Sequence, residues 1–327
     1  MSTFLASLKR SGHLDDMTMT IFNVGSRKVS SQDDYGSQDW GIFAPNLTIY
    51  AFDADADACN IANADLASRQ VNWTEKHIPL ALSDTEGEAT LYVTNHPMCS
   101  SLFPPNEAYI SRFSELIEYM SLDFSIDIET TTIDAFCQAE GITEIDFLKV
   151  DVQGADLKVL QGAKEVLESS VSVIQAEVLF CELYQNQPLF SDIDRFLRER
   201  EFTLFSLPVA FRHRQISPIV SEVNPGQLLW GDALYIRDSL EERVNKSLKE
   251  PDKILKLACI ADILNFPDYA LELLEYLTLN FGKNPKYNCA NNILESLSQF
   301  PELVQQGLDS LPAIAKIQDY LSPENRN

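Results

Sequence analysis

Ile145-Asp-Phe-Leu-Lys-Val-Asp-Val-Gln-Gly-Ala-Asp-Leu-Lys-Val-Leu-Gln-Gly-Ala163 runs from an apolar strand through an acidic turn into a helix. Phe147, Leu148 and Val150 form the short buried run expected of a parallel strand covered on both faces. Gly154 permits a tight turn, and Leu157, Val159, Leu160 and Ala163 then recur at helical spacing. In an open α/β sheet, a carboxylate at the carboxyl end of such a strand faces the crevice where ligands bind, and Asp151 holds that position. The spacing also suits Asp151 and Asp156 as caps of the following helix, so on spacing alone capping and chemistry stay open.

Working outward, residues 18–24 form an apolar, β-branched strand that ends in Asn23-Val24-Gly25-Ser26. A second strand over residues 47–52 ends at Asp53, and an alanine-rich helix follows it to Leu66. Residues 77–82 read as a third strand that ends at Ser83-Asp84, and residues 89–93 as an alternating strand. A proline-rich loop over residues 94–106, carrying Cys99-Ser100-Ser101, is placed to cover a site. The pattern then predicts a helix over 107–120, strands over 126–132 and 171–178, a short helix over 133–139 between them, a helix over 190–200, a strand over 202–207, a loop over 208–226 and a last strand over 228–237. Beyond Ser239 the periodicity is helical only, punctuated by Pro251, Pro267, Pro285, Pro301 and Pro312. The chain thus divides into a leader or short helix (1–17), an α/β domain (18–238) and a small helical domain (239–327).

The formal charge is −24, and residues 239–327 carry 13 acids against 9 bases, so nearly all of the excess belongs to residues 1–238. Such a field repels phosphate backbones, and no basic patch compensates it; nucleic acid is excluded as a partner. Six scattered cysteines lack metal-type spacing with the four histidines. No signal peptide and no run of about 18 apolar residues is visible. These features predict a cytoplasmic protein with reduced thiols, no membrane span and no metal.

The stretch "FLKVDVQGADLKVLQGA" resembles the signature of the FkbM-type family of S-adenosylmethionine-dependent methyltransferases: Lys-(apolar)-Asp-(apolar)-Glu-Gly-(small)-Glu with a closing Gly-Ala pair. Gln153 and Asp156 stand where that family usually carries glutamates. Cys99-Ser100-Ser101-Leu102, Glu177-Val178-Leu179-Phe180 with Tyr184, and Phe196-Leu197-Arg198 leading into Phe202 extend the resemblance over about residues 20–237. It implies a Rossmann-like, mostly parallel methyltransferase sheet with an antiparallel last strand, here followed by the all-helical extension.

It also implies S-adenosylmethionine as cofactor and methyl transfer to a hydroxyl of a sugar, glycolipid or polyketide-like product. Gly25, with Asn23 and Ser26, would lie near the methionyl portion, helped by residues 30–32. Asp53, next to Ala54, would bind the ribose hydroxyls, with Asp55 and Asp57 competing for the role. Asp84, beside Ser83, would accept from the adenine amino group. The first loop departs from the family's Asp-x-Gly-Ala-Asn-x-Gly, and it lacks both GxGxxG and a phosphate-binding GK[ST].

An alcohol needs a base, and the strand-end carboxylates Asp151 and Glu177 are the candidates, with His96 and His213 as alternatives. Tyr184, Phe190 and Trp230 are candidates for an acceptor pocket, although aromatics near strand ends are more often core. The competing reading is a cofactor-binding protein without turnover that engages a partner, or a second copy, through its C-terminal helices.

Overall fold

The computed structural model describes residues 2–28, 34–242 and 246–325. Helix α1 (Leu5–Arg10) precedes strand β1 (Met19–Val24), and β2 (Leu47–Asp53), α2 (Ala56–Arg69) and β3 (Thr74–Pro79) complete the first parallel unit. The chain then leaves the main sheet: β4 (Ala81–Leu82), β5 (Gly87–Thr94) and β6 (Leu122–Thr131) form a separate three-stranded sheet in the order β4-β6-β5. Between β5 and β6 lie α3 (Glu107–Ile110) and α4 (Leu116–Met120). The single helix expected over 107–120 is therefore two pieces, parted by residues that include Glu115 at φ 67°. Helix α5 (Ile133–Glu140), capped by Thr132, leads into β7 (Phe147–Val150).

Two short helices, α6 (Asp156–Gln161) and α7 (Lys164–Ser169), connect β7 to β8 (Val173–Leu179), and α8 (Phe190–Arg198) follows. Strands β9 (Thr203–Ser206), β10 (Val209–Arg212) and β11 (Gln227–Ile236) close the sheet, so the segment expected to be a loop over 208–226 contributes a strand. The order is β10-β11-β8-β7-β1-β2-β3, with β9 also on β11; β1, β2, β3, β7 and β8 are parallel and β11 runs antiparallel to β8. The mostly parallel, Rossmann-like plan with an antiparallel last strand is present.

Alternation along each strand divides the core between two faces. Phe22, Val24, Leu148, Val150, Ile174 and Val178 pack under α5 to α8. Met19, Ile21, Ile49, Phe147 and Ile236 face the other way, against α9 (Pro251–Ile263), α10 (Pro267–Phe281), α11 (Ala290–Leu297), α12 (Pro301–Gln306) and α13 (Pro312–Ile317). Four of these five helices begin at a proline, whose fixed φ and missing N–H suit a first helical position. The segment before β1 packs on the same core: the short helix is there, and Phe4, Leu5, Leu8 and Leu14 are buried. Asp262 on α9 accepts from the backbone N–H of Thr3, Phe4 and Leu5, supplying the cap that α1 lacks locally. Among the described residues no helix is long and apolar enough to cross a membrane.

Candidate functional site

Strand order reverses between β1 and β7, and at the carboxyl ends of these strands a cavity of about 700 Å³ opens. Gly25 turns the chain out of β1 at φ +80°, and a Cβ there would lie 1.8 Å from the carbonyl oxygen of Asp151. The glycine is thus required first by the close approach of the two strand-end loops. The Gly25 and Ser26 N–H groups both donate to Phe52 O at 2.9 Å, and Asp151 N–H donates to Val24 O at 2.9 Å, which locks three strand ends together.

Gly25, Asp53, Ala54 and Asp151 line the cavity. Asp55 accepts from Asp57 and Ala58 N–H as the cap of α2 and pairs with Arg27, and of the other two acids Asp57 is exposed on the first turn of α2 while Asp53 is half-buried at the strand end. Asp53 Oδ1 takes the Asp55 N–H at 2.8 Å, and burial raises its carboxyl above the usual range. Asn23 and Ser26 are buried beside Gly25 but do not line the cavity; among the described residues, Asn23 Oδ1 and Ser26 Oγ have no hydrogen-bond partner. Buried polar atoms left unpaired are uncommon, and a polar ligand or water would satisfy them. Residues 30–32, expected to assist here, lie outside the described residues.

Ser83 and Asp84 are not brought to the cavity. Leu80 turns the chain between β3 and β4, its N–H bonded to Ile78 O at 2.9 Å, so the expected single strand breaks into two sheets. Asp84 instead accepts from Lys158 Nζ and Ser83 Oγ, each at 3.0 Å. The wall at this point is apolar: Leu80, Ala81 and Leu82.

Neither acid of the opening motif caps α6. Asp156 accepts from Val152 N–H at 3.2 Å and Gly154 N–H at 3.0 Å, holding the turn, and burial followed by the charge of Asp151 pushes its carboxyl up to about 7. Asp151 is half-buried on the cavity wall. The Gln153 amide nitrogen donates to Asp151 Oδ1 at 3.0 Å and to Glu177 Oε2 at 2.9 Å, and Gln153 Oε1 accepts from the buried Tyr184 hydroxyl at 3.0 Å. This amide orientation is fixed by its partners, because ionised carboxylates only accept.

Glu177 lies behind that amide and does not line the cavity. Burial, then Asp151, Asp156 and Asp232, raise its carboxyl well above the ordinary value. The two strand-end acids are therefore unequally placed: Asp151 faces the open space and Glu177 is enclosed behind the amide. Among the described residues, no group of three or more histidine, cysteine, aspartate or glutamate side chains is disposed to hold a metal ion.

His96 is exposed, with its ring edge-on to Tyr119 at 5.7 Å, and it does not line the cavity although Asn95 and Pro97 do. His213 contacts Ser114 and is likewise outside. Phe190 stacks on Phe180 and Trp230 lies under Arg212, so neither they nor Tyr184 form the cavity wall. The loop after β5 does: Pro97, Met98, Ser100, Ser101 and Leu102 line it. The wall that sequence reading missed is the three-stranded sheet, through Leu91, Val93, Phe124, Ile126 and Ile128, whose signal is their alternate spacing on two strands.

Residues 44–204 match the family model described as Methyltransferase FkbM domain. Over 118 residues the chain is 30% identical to the 2-O-methyltransferase NoeI of Sinorhizobium fredii (strain NBRC 101917 / NGR234), a match that covers 35% of this chain. The chain spans about half of that relative's length (48%). Among solved structures, Methyltransferase FkbM from Methylobacillus flagellatus KT superimposes with a TM-score of 0.37 at 12% identity, over 67% of this chain and 43% of that one. TrmK of M. capricolum, solved with S-adenosyl-homocysteine, gives 0.33 at 11% identity, over 98% and 97%. Residues 44–204 thus match a methyltransferase domain of the FkbM type.

Proposed function

We propose that the FkbM-type domain of this chain transfers a methyl group from S-adenosylmethionine to a hydroxyl oxygen of a sugar, glycolipid or polyketide-like acceptor. The observation that carries this reading is the convergence of Asp53 and Asp151, from strands on either side of the switch point, on one cavity while Asp55 takes the capping duty. The charge of the wall supports it: Asp53, Asp55, Asp57, Asp123 and Asp151 face Arg27 alone among basic residues. That field favours a sulfonium cation and disfavours the pyrophosphate of a dinucleotide. The relative named as a 2-O-methyltransferase supports oxygen as the acceptor atom.

When bound, the cofactor supplies an electrophilic methyl group on a positively charged sulfur. Asp53 holds the ribose hydroxyls, the Leu80 to Leu82 wall covers the base, and the backbone around Gly25 and Ala54 meets the methionyl portion. Asp151 would take the proton of the acceptor hydroxyl, leaving that oxygen free to receive the methyl group that the cofactor gives up on becoming S-adenosylhomocysteine, a role worth about 10²–10⁴ in rate. Gln153 holds Asp151 from behind, and Glu177 supports the amide without reaching the acceptor.

Calorimetric titration with S-adenosylmethionine, S-adenosylhomocysteine and NAD tests the reading. Both adenosyl ligands bind and NAD does not; Asp53→Ala weakens S-adenosylhomocysteine by about 10- to 100-fold, the scale of hydrogen bonds to a charged group. Binding of NAD alone would overturn it. Cofactor binding with no transfer to any acceptor would favour the turnover-deficient alternative.

A further inference from the structure

The sheet that walls the cavity has two unlike faces. In the β5–β6 pairing Ala89 stands opposite Ile128, Leu91 opposite Ile126 and Val93 opposite Phe124, while the intervening pairs are Glu88 with Glu129, Thr90 with Asp127 and Tyr92 with Ser125. One face is therefore apolar and the other polar, the pattern of an antiparallel sheet that lays one side on a core. The outer part of the apolar side is open: Phe124 and Ile126 are 52% and 49% exposed. Leu91, Val93, Phe124, Ile126 and Ile128 line the same cavity as Asp151. An apolar surface kept open beside an acidic centre asks for an apolar occupant.

Resting on the reading of this cavity as the methyl-transfer site, we propose that the acceptor is an amphiphile: a hydroxylated head at Asp151 and an aliphatic chain laid along the apolar face of β5 and β6. The continuity of the wall selects the acceptor as occupant, since one cavity runs from the strand-end acids to Phe124 and Ile126. Its volume of about 700 Å³ lies in the upper part of the roughly 300–1,000 Å³ range of small-molecule sites, which accommodates more than a nucleoside. Arg27 is paired with Asp55, so the cavity offers a phosphorylated head little compensation for its acids.

The test uses the full chain with saturating S-adenosylhomocysteine, titrated calorimetrically with hexyl, heptyl and octyl β-glucoside below their micelle thresholds, and repeats the series without the nucleoside. Binding tightens about fourfold per methylene, hence about 15-fold from hexyl to octyl, as full burial of CH₂ groups requires. Ile126→Glu and the milder Phe124→Ser flatten the series to less than twofold and leave S-adenosylhomocysteine affinity unchanged. A flat series in the unmodified protein, or a series that neither variant alters, overturns the proposal. So does a flat series accompanied by self-association, or by binding to phosphatidylcholine vesicles, that Ile126→Glu abolishes: the face would then belong to a second copy or to a lipid surface. Failure to bind S-adenosylhomocysteine counts against the methyltransferase reading, and the series without it still decides the chain-binding question.

Discussion

At the amino-terminal ends of the parallel strands buried charge is answered by an opposite charge or a ring of dipoles, whereas at their carboxyl ends Asp151, Asp156 and Glu177 crowd together, with Lys149 Nζ 3.8 Å from Asp151. Lys256 of α9 donates to Asp146 at 3.0 Å and to Glu144 at 3.2 Å, and Asp146 also accepts Thr20 N–H at 2.8 Å. Arg237, buried at the end of β11, donates to the carbonyls of Leu167, Val171 and Arg200 and stacks over Phe202 at 4.2 Å. Across the sheet, burial and then the charge of Asp151 raise the proton affinity of Asp156 and of Glu177, and the neutral Gln153 amide bridges Asp151 and Glu177. One end is built for stability; the other holds charge in readiness for a ligand and gives up stability to do so.

The largest effect expected of breaking this contrast is at the satisfied end. Lys256→Ala leaves Asp146 buried without its cation and should cost about 3–5 kcal/mol in denaturant unfolding while leaving S-adenosylhomocysteine affinity intact. At the other end Gln153→Glu replaces the shared donor with a third acid, and a loss of about 1–3 kcal/mol is expected, growing as pH rises and the acids ionise. A variant as stable as the parent at pH 8 would show that the amide does not hold the acids together.

Asp156 sharpens the comparison through pH. Its folded pKa of about 7 lies above the unfolded value of about 3.9, so the folded state binds the extra proton. Its contribution is fully present below about pH 4 and is lost as pH rises through 7, with a slope approaching 1.4 kcal/mol per pH unit. Asp156→Asn removes that slope: from pH 5 to 8 the stability of the variant relative to the parent should rise and then level off above about pH 7, and a relative stability that falls as pH rises would contradict the assignment.

Much of the sheet was legible because its strands are short apolar runs bounded by acids and glycines: Phe147–Val150 and Leu47–Asp53 differ from the expected bounds by at most a residue. The placement of Asp53 and Asp151 at strand ends beside the cavity was legible for the same reason, since strand-end position is a one-dimensional property. Asp84 was misplaced because nothing local to residues 77–84 reveals that Leu80 breaks the strand or that Lys158, distant in sequence, draws the carboxylate away. His96 carried chemistry in its type and not in its direction. The apolar wall was hidden in pairing: the alternation of β5 and β6 was visible, but that their apolar sides share one open face depends on register between strands separated by α3 and α4. The docking of Phe4, Leu5 and Leu8 likewise involves partners far off in sequence, among them Asp262, more than 250 residues away.

Transfer of a labelled methyl group from S-adenosylmethionine to a pool of hydroxylated metabolites, compared between the unmodified chain and Asp151→Ala, tests the central claim most directly. The account predicts labelled ether product from the first and a loss of about 10²–10⁴-fold from the second, with equal affinity for S-adenosylhomocysteine. Equal labelling by the two proteins would contradict it.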